Sequence, residues 1–221
     1  MNLFRLILRC VFCAQPAGPA RICDRCLAVF PWNEVYCVRC GQPVPGAVDT
    51  PCGDCQQKSP VFTLARAPLL YEFPVDSAIK KLKFNGQTMY APALAELMLD
   101  CLHREFAHCD ALVPVPLHRW RHVRRGFNQA REIARPLARA TGLPLFDRAV
   151  RRHATRPQAG LSAAERHSNL RDAFKAGKGF CYRQPLIVDD VITTGTTANQ
   201  LAHALLEAGA ERVDVLAAAR A

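Results

Sequence analysis

Leu186-Ile187-Val188-Asp189-Asp190-Val191-Ile192-Thr193-Thr194-Gly195-Thr196-Thr197 is the stretch that decides the fold of this 221-residue chain. Leu186 to Val188 form the apolar run of a buried strand. Asp189 and Asp190 follow, placing two carboxylates where the strand is expected to leave the core, with the strand ending at Asp189. Thr193 to Thr197 make a hydroxyl-rich turn around one glycine, and Thr197 to Ala208 read as a helix. A strand, a small-residue loop and a helix N-terminus together form an anion site, because unpaired backbone N–H groups and the helix dipole both face the ligand. The carboxylates repel that anion, so they serve a hydroxylated or metal-bound part of the same molecule. A sugar phosphate satisfies both halves.

Working outward, the flanking segments alternate between strand and helix. Leu69 to Phe73 suggest an entering strand. Val75 to Phe84 have helical spacing, with Ile79 and Leu82 apolar and Lys80, Lys81 and Lys83 solvated, and they stop at Asn85-Gly86. Ala91 to Phe106 place Leu94, Leu97, Met98, Cys101 and Leu102 on one face of an amphipathic helix. Ala111 to Val115 are a short buried strand, Phe127 to Ala140 a helix, Leu143 to Phe146 another strand, and Arg212 to Ala218 the last one. This alternation predicts an α/β fold, a parallel sheet with helices on both faces, over residues 61–221.

Residues 1–60 are of another kind. Eight of the 11 cysteines fall into four CxxC pairs, Cys10/Cys13, Cys23/Cys26, Cys37/Cys40 and Cys52/Cys55. Each pair sets two sulfurs on one side of a tight knuckle, half of a tetrahedral Cys₄ site. Consecutive pairing gives two zinc ribbons in series; spacing alone also permits interleaved pairing. A closed Cys₄ shell leaves no place for a catalytic water, so both zinc ions are expected to be structural. The head has too few apolar residues for an unaided core, and metal binding supplies much of its folding energy. Cys101, Cys109 and Cys181 have no CxxC partner and are expected to pack as small apolar residues. The N-terminal apolar stretch is interrupted by Arg5 and Arg9, and no run reaches the ~20 residues of a membrane span. The expected location is the cytoplasm.

The formal charge of +10 is concentrated. Between 111 and 171 there are 13 arginines and three acids, which accounts for all of it; the rest balances at 16 basic and 16 acidic residues. Arg131, Arg135 and Arg139, four apart, fit a solvated helix face. Arg124 and Arg125, beside a glycine and far from any acid, are candidate DNA contacts. The head carries six basic and four acidic residues through Lys58, and two zinc sites of net charge −2 turn it slightly negative, an argument against it as the main phosphate-gripping surface.

The opening stretch resembles the phosphoribosyl-diphosphate (PRPP) motif of the type I phosphoribosyltransferases. Two further segments resemble one family in particular. Pro114 to Arg119 with Arg125 to Ala130, and Gln158 to Arg166 with Asn169, are similar to the signatures of the ComF (GntX-like) family. Its members join a small N-terminal double zinc ribbon (here residues 1–60) to a type I phosphoribosyltransferase-like domain (61–221). The resemblance implies that Asp189 and Asp190 accept from the ribose hydroxyls of PRPP, and that Thr193, Thr194, Gly195, Thr196 and Thr197 wrap its 5′-phosphate. It makes Pro116, Leu117, His118 and Arg119 a pyrophosphate loop. Arg151, Arg152, Arg156 and Arg166 become phosphate contacts of a hood over the substrate. PRPP travels with Mg²⁺, which binds through substrate phosphates and few protein ligands. Enzymes of this class that salvage 6-oxopurines carry a carboxylate where this chain has Thr193, which disfavours that role and leaves no base nominated. The family is associated with natural competence. Three functions therefore stand: a phosphoribosyltransferase of unidentified acceptor linked to DNA uptake or utilisation, a non-catalytic handler of single-stranded DNA working with other DNA-uptake proteins, and a PRPP sensor. Only Trp120, Phe127 and Phe146 are aromatic in the basic segment, a sparse platform for stacking bases.

Overall fold

The computed structural model describes residues 8–46, 50–117, 126–151 and 173–221, with residues 150 and 151 described by backbone alone. The central sheet is parallel: β3 (Ala111–Pro114) pairs with β6 (Pro185–Ile192), β6 with β7 (Asp214–Arg220), and β7 with β1 (Leu64–Arg66) and then β2 (Leu69–Leu70). β1 and β2 thus act as one interrupted edge strand, and the cysteine head before them holds two short helices, α1 (Asp24–Leu27) and α2 (Gly53–Gln57). A separate two-stranded ladder joins β4 (Val150–Arg151) to β5 (Phe174–Lys175), antiparallel.

Alternation along β6 divides the core. Leu186 and Val188 face one layer, packed with α3 (Val75–Asn85), α4 (Tyr90–Glu105) and α5 (Gln129–Thr141). Ile187 faces the other, packed with α6 (Thr196–Glu207). Both faces are covered, so Leu186 to Val188 of β6 and Val215 to Ala219 of β7 read as continuous apolar runs, as a sheet packed on both sides requires. Leu94, Met98, Leu112, Ile133 and Leu137 are fully enclosed, and burial of such a side chain contributes ~1.5–3 kcal/mol each. Helix ends follow local chemistry. Gly86 closes α3 at φ 64°, donating back to the Lys81 carbonyl. The Asn128 side chain caps α5 by accepting from the N–H groups of Ala130 and Arg131.

The cysteine head is fastened to the edge at β1 and β2. Trp32 bridges Leu69 in antiparallel fashion, Ala65 donates to the Arg39 carbonyl at 2.7 Å, and Leu70 to that of Pro31 at 2.7 Å. Asn33 is buried and its Nδ2 donates to the carbonyls of Gly41 and Ala67. Arg66 donates to the Val38 carbonyl and pairs with Glu105 of α4 at 3.0 Å. Gly41 is in the left-handed region, and a Cβ there would stand 2.9 Å from the Ala65 carbonyl oxygen, so only glycine fits between knuckle and strand. The head covers an edge that would otherwise expose unpaired backbone groups.

Three expectations need correction. β6 does not stop at Asp189. It continues through both acids to Ile192, because β7 supplies partners as far as Ile192 opposite Arg220. Residues 143–146 contribute one bridge, Leu145 to Leu112, and no full strand; the next donor that β3 would offer this ladder is Pro114, which has no N–H. Cys181 is exposed, whereas Cys101 and Cys109 are buried as expected and burial pushes both thiols up to about 12.

Candidate functional site

The eight cysteines form two four-sulfur groups by consecutive pairing, Cys10, Cys13, Cys23, Cys26 and Cys37, Cys40, Cys52, Cys55. A zinc ion with Zn–S bonds of ~2.3 Å sets sulfur–sulfur edges of about 3.8 Å. The Cys13–Cys23 and Cys40–Cys52 separations are 3.5 and 3.7 Å, so the residues fit the metal. Burial opposes ionisation of Cys37, but N–H groups of Cys40, Cys52 and Arg39 outweigh it and hold the thiol at about 6. Cys10 is held at about 6 by the same balance, with N–H groups of Cys23, Phe12 and Cys13. In each group one sulfur is prepared as a thiolate while burial and its neighbours' sulfurs push another, Cys26 or Cys55, far upward. Four thiolates cannot coexist there without a cation. These are structural zinc-ribbon sites.

The acids of the opening stretch lie at the C-terminal end of β6. Asp190 is 3 % exposed and shares its face with Leu186 and Val188, which points it at α3; Lys83 Nζ lies 2.5 Å from its Oδ2. Lys83, expected to be solvated, is thus tied into the site. Helical period alone could not reveal this, since the partner comes from the far end of the sequence. Asp189 is half-buried and accepts the Asp190 N–H at 2.8 Å. Burial, and then the adjacent Asp190 carboxylate, push its carboxyl well above the usual carboxylate range, against the smaller pull of the Asp190 N–H and Lys83.

Thr193, Thr194 and Gly195 make the turn into α6, which starts at Thr196, one residue earlier than expected. Gly195 stands at its head with φ 72° and no side chain to cap the helix. The first amides of α6 therefore lack a capping side chain, apart from a long contact of the Thr196 N–H to Thr194 Oγ1 at 3.4 Å. Thr193, Thr194 and Thr196 are exposed, and the Thr194 and Thr196 hydroxyls lie 2.8 Å apart. One residue escaped the sequence reading altogether. Arg220, the last residue of β7 and 5 % exposed, donates through one guanidinium nitrogen to the carbonyls of Ile192 and Thr193. With its carbonyls held from below, the loop keeps its amides and hydroxyls available above.

Pro116 and Leu117 follow β3 beside β6, where Val115 donates to the Val188 carbonyl at 2.9 Å. The Asn128 carboxamide donates to the Val115 carbonyl at 3.0 Å, fixing the start of α5 against this segment. His118, Arg119, Arg124, Arg125, Arg152, Arg156 and Arg166 lie outside the described residues, as does the side chain of Arg151. Of the arginines assigned to a solvated helix face, Arg131 pairs with Asp147 and Arg135 with Glu132. No helix among the described residues is long and apolar enough to cross a membrane.

Two carboxylates at the end of a central strand, a three-residue turn and an uncapped helix start define a phosphoribosyltransferase-type domain behind paired zinc ribbons. Comparison with known proteins agrees. Residues 6–56 match a double zinc ribbon domain and residues 123–220 a phosphoribosyl transferase domain. The chain is similar to DNA utilization protein YhgH of Escherichia coli K12, at 36% identity over 214 residues, 93% of this chain and 94% of the relative. Competence protein F of Haemophilus influenzae is 32% identical over 235 residues, with both chains fully covered. Competence protein ComFC of Streptococcus pneumoniae is 27% identical over 204 residues, 90% of this chain and 87% of the relative. The chain belongs to the ComF family.

Proposed function

We propose that the chain binds PRPP with Mg²⁺ and acts as a phosphoribosyltransferase in the utilisation or uptake of DNA. The observation that carries this reading is the Asp189–Asp190 pair, joined through Thr193, Thr194 and Gly195 to the uncapped start of α6. The ribose hydroxyls would donate to the carboxylates, and the turn would take the 5′-phosphate. Pro116, Leu117, His118 and Arg119 would meet the pyrophosphate, and the arginines of 151–166 would close over it. Displacement at the anomeric carbon proceeds through oxocarbenium-like charge, so the chain's own work is to hold the departing pyrophosphate and exclude water. The link to DNA comes from the relatives' names. The cytoplasm, where thiols stay reduced, suits eight cysteines committed to zinc.

The test is thermal stabilisation of the zinc-loaded chain by PRPP with Mg²⁺, followed by a pyrophosphate-release assay over a panel of bases, amines and single-stranded DNA. Stabilisation in the wild type that vanishes in an Asp189→Asn/Asp190→Asn double variant supports the site. An equal shift in both proteins sinks it. Stabilisation without pyrophosphate release against every acceptor favours the sensor. The excess of 13 arginines over three acids between 111 and 171 favours a second reading, direct binding of single-stranded DNA, for which Arg124 and Arg125 are the contacts to test.

A further inference from the structure

Toward the other end of the sheet from the phosphate turn, a further set of metal-ligating side chains converges. His108 and Cys109, between α4 and β3, meet Asp214, the first residue of β7. An imidazole nitrogen, a sulfur and a carboxylate oxygen, one from each, lie within 4.8 Å of one another. Asp214 pairs with Leu186, three residues before the Asp189–Ala217 pair, so the set sits about 10 Å down the ladder from the acids of the phosphate site. Asp214 is 1 % exposed, and its two oxygens are unevenly satisfied. Oδ2 lies 2.7 Å from His108 Nε2 and accepts from Arg212 Nε at 2.8 Å. Oδ1 is enclosed and has no hydrogen-bond partner among the described residues. A buried carboxylate oxygen left without a donor is costly, and a cation shared with the neighbouring imidazole and sulfur removes that cost.

The donor set says which cation. Nitrogen, sulfur and oxygen together suit Zn²⁺, whereas Mg²⁺ and Ca²⁺ take oxygen alone. We infer that His108, Cys109 and Asp214 form a third zinc site, with a solvent ligand completing the tetrahedron beside the exposed imidazole. Nitrogen and oxygen ligands at ~2.0 Å from zinc stand about 3.3 Å apart across a tetrahedral angle, so the ion replaces the direct His108–Asp214 contact with little movement. It lies between its ligand atoms and needs no solvent-sized void, as in the second ribbon group, where Cys37 is fully buried. The Cys109 thiol, raised by burial and then by Asp214, loses its proton to the ion, as the raised thiols of Cys26 and Cys55 must in the ribbons. Arg212 stays on Oδ2 and orients the carboxylate, as hydrogen-bonding groups behind metal ligands commonly do. Zinc, one thiolate and one carboxylate sum to zero charge, so the guanidinium does not oppose the bound set. The ribbons have closed Cys₄ shells, but this site keeps one position for an exchangeable ligand. It is independent of the PRPP reading.

The experiment is titration of the full chain, its two ribbons filled with zinc, with Co²⁺. Bound cobalt is read from its visible bands and from thiolate-to-cobalt charge transfer, while the zinc retained by the ribbons is counted in parallel. Wild type is compared with His108→Ala, Cys109→Ala and the control His103→Ala, which removes a nearby exposed histidine outside the set. Circular dichroism checks that each variant is folded. Wild type should take up one equivalent of cobalt with a charge-transfer band. His108→Ala should weaken that uptake at least about tenfold. Cys109→Ala should weaken it equally and abolish the band, and His103→Ala should change neither. His108 is exposed, so its replacement tests the site without disturbing the core. The absence of cobalt uptake by wild type would overturn the inference. So would uptake that persists in both ligand variants, or that is lost in His103→Ala and kept in His108→Ala.

Discussion

Lys83 Nζ stands 2.5 Å from Asp190 Oδ2, joining the C-terminal turn of α3 to the tip of β6. The carboxylate side chain is 5 % exposed and the ammonium 21 %. Removing the cation alone leaves a buried charge without compensation, so Lys83→Met should destabilise the chain by roughly 2 kcal/mol, discounted from the fully buried case because Lys83 keeps some contact with water. Adding Asp190→Asn should restore most of the loss. A double-mutant cycle by chemical denaturation reads the coupling directly; additive effects would show that the pair is not an energetic unit.

Asp189 leads to a prediction of opposite sign. Its carboxyl is raised in the folded chain by burial and by Asp190. The folded state therefore holds a proton that the unfolded state has lost over the window between the ordinary carboxylate value and the raised one. Across that window stability falls as pH rises, and above it the full penalty remains. Asp189→Asn should melt higher than wild type at neutral pH without ligand, and the advantage should shrink as the pH falls through that window and be gone below the ordinary carboxylate range. A melting series from acid to neutral pH checks this. The same variant should lose stabilisation by PRPP with Mg²⁺, since a carboxamide is a weaker acceptor for ribose hydroxyls than a carboxylate.

These two acids also show what a sequence makes legible. Local patterns sufficed for the strand, the turn and the helix, because apolar runs, a glycine and a helix start act over a few residues. The CxxC spacing likewise indicated two metal sites. What stayed hidden depends on contacts distant in sequence: Lys83 meeting Asp190, Arg220 beneath the turn, and Asn33 with Gly41 seating the knuckle on β1. The strand extended past its expected end for a similar reason, since its length is set by β7 rather than by its own residues.

Zinc removal should reach beyond the head. The Cys37–Cys40 knuckle holds β1 through the Ala65–Arg39 hydrogen bond and the Arg66 bond to Val38, so unfolding of the second ribbon frees an edge of the main sheet. A chelator should lower the melting temperature of the body and raise hydrogen exchange at residues 64–70. Cys52→Ser, which breaks the second group only, should do so more than Cys13→Ser, which breaks the first. Equal exchange at β1 in the two variants would argue against the knuckle as its support.

Arg220 carries the last prediction. Its guanidinium bonds the carbonyls of Ile192 and Thr193 from a buried position at the end of β7, where β7 pairs with the strand leading into the turn. Arg220→Met retains the length and the apolar stem but leaves those carbonyls without their donor, a cost of about 1–3 kcal/mol. The consequence for function follows from position, since the two carbonyls belong to the residues that open the turn. Once released, they let the peptide units of the turn rotate and the amides lose their common direction. Ribose 5-phosphate should then bind at least about tenfold more weakly, whereas zinc content and the circular-dichroism spectrum stay those of wild type. Arg220→Lys returns a charged donor on a shorter stem, whose ammonium does not reach as far as the guanidinium nitrogen that serves both carbonyls, so it should recover only part of the affinity. Full recovery with lysine would show that charge, rather than the aim of the turn, is what Arg220 supplies.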